Sequence, residues 1–409
     1  MGDLLLPAYQ KLYSALQSLE RFSKGQDLFE NIACIDSFLS EFRNITFVLQ
    51  KSLAHTDYST AYEASRERFL KNDDCAWLVE KRNQVLKESP FALEKTVELT
   101  LFRPNGAGVF STESYTIEDE KDYSDLTDMV KRTIEGIPAI EVFFSVEFIY
   151  REMDSERNIF NTIDNGIDSV LGLLEDLNNT IGIEASVPRT VLLKKIEELH
   201  FHPTPKEAWF VDDYVYYRKD NVFEKGERYE IVTPFKTSIP YNLLCDMMHI
   251  DLSDNFIEDT FEAFKMMNTM AFKYQKRVMP TILTLREDGV LSMMMYDASI
   301  KTTTYRKIND IAEDIKSGTP IVAFFYVSEM LVYENQDAFN EDYSYRSQGK
   351  HFEILSFHIV TKDYSNLYCI SSEAVSEGKI DCKFPRLTKV ETDDSISCMN
   401  PIVEAFKNR

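Results

Sequence analysis

At Lys95 the hydrophobic period of this chain changes, and that change restricts what it can fold into. Before it, Leu28, Ile32, Ile35, Leu39, Phe42, Ile45, Leu49 and Leu53 recur at intervals of three and four, which lays one apolar stripe along a long helix. Segments 9–22, 58–70 and 75–87 read as further helices. Asn72-Asp73-Asp74 offers an N-cap to the last of them, and Ser89-Pro90 ends it, because a residue before proline avoids the α region. Helices joined by such short links predict a bundle over residues 1–95.

Beyond Lys95 the period is two: Val97, Leu99 and Leu101 alternate with polar residues, and Pro104-Asn105-Gly106 turns the chain. A helix over 123–135, a break at Gly136-Ile137-Pro138 and a hydrophobic strand over 139–150 follow. The same order returns later. Strands over 281–285 and 291–296 flank Glu287-Asp288-Gly289, then come a helix over 305–316, a break at Gly318-Thr319-Pro320 and a strand over 321–332. Laying 123–152 on 305–334 without a gap matches Tyr123 with Tyr305, Asp128 with Asp310, Gly136 with Gly318, Pro138 with Pro320 and Phe143 with Phe325. It also matches Glu147 with Glu329 and Glu152 with Glu334. An internal duplication accounts for this; two ordinary hairpin–helix–strand segments are the alternative. The expectation is an α+β chain: an N-terminal helical bundle, then a duplicated β-β-α-β unit forming antiparallel or mixed sheets with helices on one face. The boundaries are 1–95 for the bundle and 96–250 for the first unit, with inserted helices over 157–178 and 188–200 and strands over 209–234. The second unit takes 251–375, with two further strands over 351–361 and 366–371, and a polar tail takes 376–409.

Lys and Arg total 45 against 68 Asp and Glu, a net charge of −23, and a field of that sign repels phosphate backbones at long range. RNA is therefore disfavoured as a partner, though not a local basic pocket. The longest apolar runs, such as 321–327, fall far short of the roughly 20 residues that cross a bilayer. The start has no basic, apolar leader pattern, and Leu6 breaks the myristoylation motif after Gly2, so a cytoplasmic chain without membrane attachment is expected. The sequons at Asn44 and Asn178 are then chance. Six scattered cysteines without a C-x-x-C pair read as inert thiols. No P-loop, dinucleotide fingerprint or nucleophile elbow occurs, and no cofactor is expected.

The most specific local feature is Arg82-Asn83 in the helix over 75–87. Arg82 lies four residues from both Leu78 and Leu86, so it shares their stripe, and a long cation there needs a partner or a site. Arg43-Asn44 is a second such pair and marks Arg43 as a binding candidate. A bundle with Arg-Asn-x-x-x-His near a helix end resembles the HEPN superfamily, helical proteins that include metal-independent RNases of toxin–antitoxin and phage-defence systems. The resemblance covers residues 1–95 and rests on that motif. It implies that Arg82 stabilises phosphate charge beside Asn83, in a dimeric, bacterial, defence-linked RNase. Lys87 stands where the family has histidine; a protonated lysine is a poor base at neutral pH, which leaves a dead site or a phosphate clamp.

Other candidates are weaker. Glu197-x-x-His200 and Asp246-x-x-His249 fall short of a di-iron ligand set, and no metal site is expected. Asp212-Asp213 reads as a solvated turn, a partner-facing patch or a cation site. Glu147 and Glu329 sit in hydrophobic strands and call for cations; Arg103 and Arg286, at the hairpins of the same units, are the expected structural ion-pair partners. Met293-Met294-Met295 suits either a contact surface or core filling. Architecture without a complete catalytic constellation favours an interaction or regulatory protein with a protein partner or a second copy of itself. The RNase is the second expectation. A small-ligand sensor with a pocket at the junction of the repeats is the third.

Overall fold

The computed structural model describes residues 3–22, 28–103, 106–117, 126–137, 139–182, 184–199, 210–231, 239–333, 351–372, 375, 388–390 and 398–409. The chain divides into two compact units, one of residues 1–98, 113–133 and 147–211, the other of 99–112, 134–146 and 212–409. The class is α+β, as the change of period predicts.

The first unit begins with α1 (Leu6–Leu19), α2 (Leu28–Leu53), α3 (Ser59–Leu70) and α4 (Asp73–Lys87). On α2, Ile35, Leu39, Phe42, Ile45, Leu49 and Leu53 are buried, which is the stripe read from the sequence. Asn72 caps α4, its side chain accepting from the Cys75 N–H at 2.8 Å, with Asp73 and Asp74 at the positive end of the helix dipole. The chain then forms β1 (Leu93–Phe102), β2 (Val109–Ile117), α5 (Leu126–Ile134) and β3 (Glu141–Glu152), strands that run from one unit into the other. Helices α6 (Ile159–Ile181) and α7 (Val187–Glu197) follow.

The bundle is larger than the boundary at residue 95 implies, because α6 packs on α3 and α4 while α7 packs on α1. Glycine makes the approach of α6 possible. A Cβ at Gly166 would collide with Leu78 of α4 and stand 3.3 Å from the Phe42 ring of α2, and one at Gly172 would stand 2.8 Å from Phe69. Phe22, Tyr150, Phe160 and Phe210 form an edge-to-face cluster in the same unit.

The second unit adds β4 (Val211–Tyr217), β5 (Val222–Lys225), β6 (Arg228–Ile231), β7 (Ile239–Pro240), α8 (Tyr241–Met247) and α9 (Phe256–Gln275). The second hairpin–helix–strand segment is β8 (Thr281–Arg286), β9 (Val290–Ala298), α10 (Lys301–Lys316) and β10 (Ile321–Tyr333). It continues into β11 (His351–Thr361), β12 (Ser365–Ser371), β13 (Thr388–Val390) and α11 (Asn400–Lys407). One sheet has the order β2-β1-β3-β4-β5, the other β13-β12-β11-β10-β8-β9-β6 with β7 also on β9. In each, the strand after the helix pairs with the first strand of the hairpin. The common order then goes on for two more strands, β3-β4-β5 matching β10-β11-β12. The inserted α6 and α7 separate β3 from β4 in sequence, which is why the repeats read as diverging there.

Helices cover both faces of the second sheet, a cover more than the single helical face expected. Phe325 and Val327 point to α9, where Phe261 stacks on Phe325 at 5.8 Å; Phe324 and Tyr326 point to α10 and α11. A strand apolar on both faces, as β10 is over 321–327, needs both covers. Helix α10 is itself buried on several sides, with Tyr305 edge-on to Phe102 and Phe143 at 6.0 and 5.5 Å. Its Arg306 makes a fork on Asp213, Nε to Oδ1 at 3.0 Å, and Thr303 donates to the same carboxylate at 2.8 Å.

Candidate functional site

A groove of about 440 Å³ opens in the helical unit between α2, α3 and α4, with Val170 of α6 at its base. Phe42, Leu70 and Val79 make it apolar; Arg43, Arg66 and Lys71 line it together with the carboxylate of Glu67. Arg43 stands beside the buried stripe of α2. Its guanidinium donates to Thr46 Oγ1 at 2.8 Å and lies 4.5 Å over the Phe47 ring. Among the described residues it has no carboxylate partner. Burial holds its pKa below the usual arginine value, Tyr62 acts the other way, and the charges of Arg82 and Arg66 depress it further. Arg43 and Arg82 are thus close enough to repel.

Arg82 is half-buried on α4 and donates to Asn83 Oδ1 at 3.1 Å, while its Nε is buried and has no partner among the described residues. The partner it calls for is this asparagine; no carboxylate pairs with it among the described residues. The stripe it was assigned to leaves the interior: Leu78 is buried but Leu86 is 53% exposed. Lys87 is exposed in the last turn. His55, the histidine of the bundle sequence, is also exposed.

Other cations of the unit do find acids. Lys81 pairs with Glu152, Arg157 with Asp74 at 2.8 Å, and Arg66 with Glu63 at 2.9 Å. Lys71 takes Glu67 at 2.9 Å and, by that hydrogen bond first, holds its carboxyl below the usual range. Arg43 and Arg82 have no carboxylate partner among the described residues, and the charge of Arg82 reaches Arg43, although Arg82 itself does not line the groove. Arg66 and Lys71 escape sequence reading because Glu63, Glu67 and their neighbours look like i,i+3 and i,i+4 pairs on a solvated helix face, which is also what they form.

The expected Arg286–Glu329 ion pair is not formed. Arg286 pairs with Asp288 at 3.1 Å, and the Glu329 carboxylate accepts from the Val278 N–H. Register explains it: Arg286 lies opposite Ile321, and Glu329 stands eight residues further along β10, about 26 Å away. Arg103 is exposed at the first hairpin and belongs to the second unit, where it lines a small cleft of about 260 Å³ with Glu313, Lys316 and Glu404. Glu147 belongs to the first unit and is half-buried.

Asp213 is no solvated turn: it is 2% exposed and held by Arg306, while Asp212 pairs with Lys225 at 3.0 Å. Met293 packs into the core and Met294 faces out, the alternation of a strand covered on one side. His200 lies outside the described residues, and so do Cys382, Pro104 and Asn105. Among the described residues no three His, Cys, Asp or Glu side chains gather as a metal site, the described cysteines are free thiols, and no helix is long and apolar enough to cross a membrane. Comparison with protein-family models, with curated proteins and with solved structures finds no match to this chain.

Proposed function

We propose that this chain is a non-catalytic interaction protein whose helical groove holds an anionic group, carboxylate or phosphoryl, of a protein partner. The observation that carries this reading is Arg43, which lines the groove without a carboxylate partner among the described residues and feels the charges of Arg82 and Arg66, in a chain with a net charge of −23. Like charges held together in a partly buried site repel, and an anion relieves that repulsion. A guanidinium fork grips oxyanions bidentately, and the apolar wall of Phe42, Leu70 and Val79 accommodates the stem that carries the anion. The overall negative field keeps long polyanions away, so recognition is local and salt-sensitive.

A HEPN-type RNase is the second reading, favoured by one observation: the two arginines without a carboxylate partner among the described residues, Arg43 and Arg82, each precede an asparagine, Asn44 and Asn83. Its motif position for the histidine base is filled by Lys87, a poor base at neutral pH. One experiment separates the two. Wild type, Arg43→Gln, Arg82→Ala and Lys87→His are titrated with a fluorescein-labelled phosphoserine peptide and incubated with a labelled single-stranded RNA. Peptide binding that weakens with salt and drops in Arg43→Gln and Arg82→Ala, with RNA intact throughout, supports the interaction reading. RNA turnover by wild type that disappears in Arg82→Ala overturns it in favour of the nuclease.

A further inference from the structure

The second unit carries a cleft of about 450 Å³ that the groove of the first unit does not involve. Its floor is a row across three strands of the second sheet: Tyr326 of β10 lies opposite His358 of β11, which lies opposite Leu367 of β12. Ser328 and Met330 continue the same face of β10, and Thr304 and Tyr305 of α10 form the wall. A volume near 450 Å³ is in the range of small-molecule pockets.

His358 sets this cleft apart from a packing defect. It is 7% exposed, yet among the described residues it makes no hydrogen bond or ion pair; its nearest described ring is Tyr326, with centroids 5.8 Å apart. Burial alone displaces its pKa, down to about 4, so at neutral pH it is an uncharged imidazole with one donor and one acceptor, in the lining of the cleft. A polar side chain in a cavity wall that the protein itself leaves unpaired is available to hydrogen-bond whatever fills the cavity. The neighbouring polar groups are already engaged. Tyr296 donates to Thr304 at 3.1 Å, and Ser356 donates to the Ser328 carbonyl at 3.1 Å.

Charge narrows the ligand further. Lys301, at the wall, has interactions of its own, and Glu329, at the mouth, is exposed and takes the Val278 N–H. An anionic ligand would thus meet a carboxylate and no uncommitted cation among the described residues. The rings of Tyr305 and Tyr326 with Met330 and Leu367 offer flat apolar contact. We propose that this cleft binds an uncharged, flat nitrogen heterocycle whose edge carries both a donor and an acceptor, with His358 as the hydrogen-bonding residue that selects it. Either imidazole tautomer then finds its complement.

The test uses the full chain and three probes, nicotinamide, adenine and uracil, with toluene as a ring that cannot hydrogen-bond. Binding is followed by ligand-observed NMR and by the side-chain nitrogen shifts of His358. The expected result is that at least one heterocycle binds wild type and shifts the His358 nitrogens. That heterocycle should bind about tenfold more weakly to His358→Phe, which keeps the ring shape, and recover in His358→Gln, which restores donor and acceptor. The nitrogen shifts need no variant, so a folding failure of His358→Phe does not remove the test. The proposal is overturned if no heterocycle binds at about 5 mM, the weak end of specific affinity. It is equally overturned if toluene binds as well as the heterocycles, or if binding leaves the His358 nitrogens unmoved.

Discussion

His358 makes the stability of this protein acid-sensitive in a window that can be stated in advance. The imidazole titrates near 6.5 when solvated, and burial in the second sheet pulls it down to about 4. Above about pH 6.5 it is neutral whether the chain is folded or unfolded, and it contributes no pH dependence. Between about 6.5 and 4 the unfolded chain takes up the proton and the folded one does not, so stability falls as the pH falls. The loss from this one group is about 2 kcal/mol at pH 5 and approaches about 3 kcal/mol below pH 4. For a unit of this size, about 2 kcal/mol corresponds to roughly 4–8 °C in Tm. Carboxylates as a class titrate in the same range, so the assay is a difference. Wild type and His358→Phe are melted by calorimetry from pH 7.5 to 4.5. The carboxylates are common to both, and the thiol and phenol groups that face His358, Cys398 and Tyr326, are displaced upward by burial and do not titrate here. The Tm of wild type should fall relative to the variant, beginning near pH 6.5. A difference that stays flat to pH 4.5, or wild type gaining on the variant in acid, would refute an uncharged, unpartnered His358.

Three further outcomes follow from packing and polar pairing. Asp213→Ala leaves Arg306 buried without its fork and should cost about 3–5 kcal/mol, read from urea unfolding, while exchanging both residues for apolar ones of similar size should cost far less. Gly166→Ala puts a methyl group against Leu78, and despite the helix propensity gained it should destabilise the helical unit by about 1–2 kcal/mol. Asn72→Ala removes the cap on α4 and should cost about 1 kcal/mol, with Asn72→Asp close to wild type; thermal melts by circular dichroism rank the three.

The readable parts of the site were those with a local signature. Arg43 and Arg82 stand out because a cation beside or within an apolar stripe is conspicuous along one helix. That they approach each other is a property of how α2 and α4 pack, and the helix pattern of neither carries it. The Arg286–Glu329 pair is absent for the same reason from the other side: an acid in a hydrophobic strand calls for a cation and Arg286 stands at the hairpin of the same unit, but the β8–β10 register puts the two about 26 Å apart. His358 left no trace in the sequence, since a histidine in an alternating strand looks like any half-polar position until the partners of its face are known.

What the sequence by itself determined is the set of elements whose signals span a few residues. Among them are the α2 stripe, the Asn72 cap, the strand–turn–strand–helix–strand order that occurs twice and the helix terminated at Gly318. These rest on interactions between residues two to four apart, which the chain makes wherever it goes. Only the tertiary structure decided that α6 and α7 join the first helices, that β4 and β5 extend the first sheet as β11 and β12 extend the second, and that Asp213 is buried under Arg306. Those are pairings between distant segments, selected by shape and register over the whole core, and a glycine at 166 or a bidentate arginine at 306 acquires its meaning only when the opposing surface is in place.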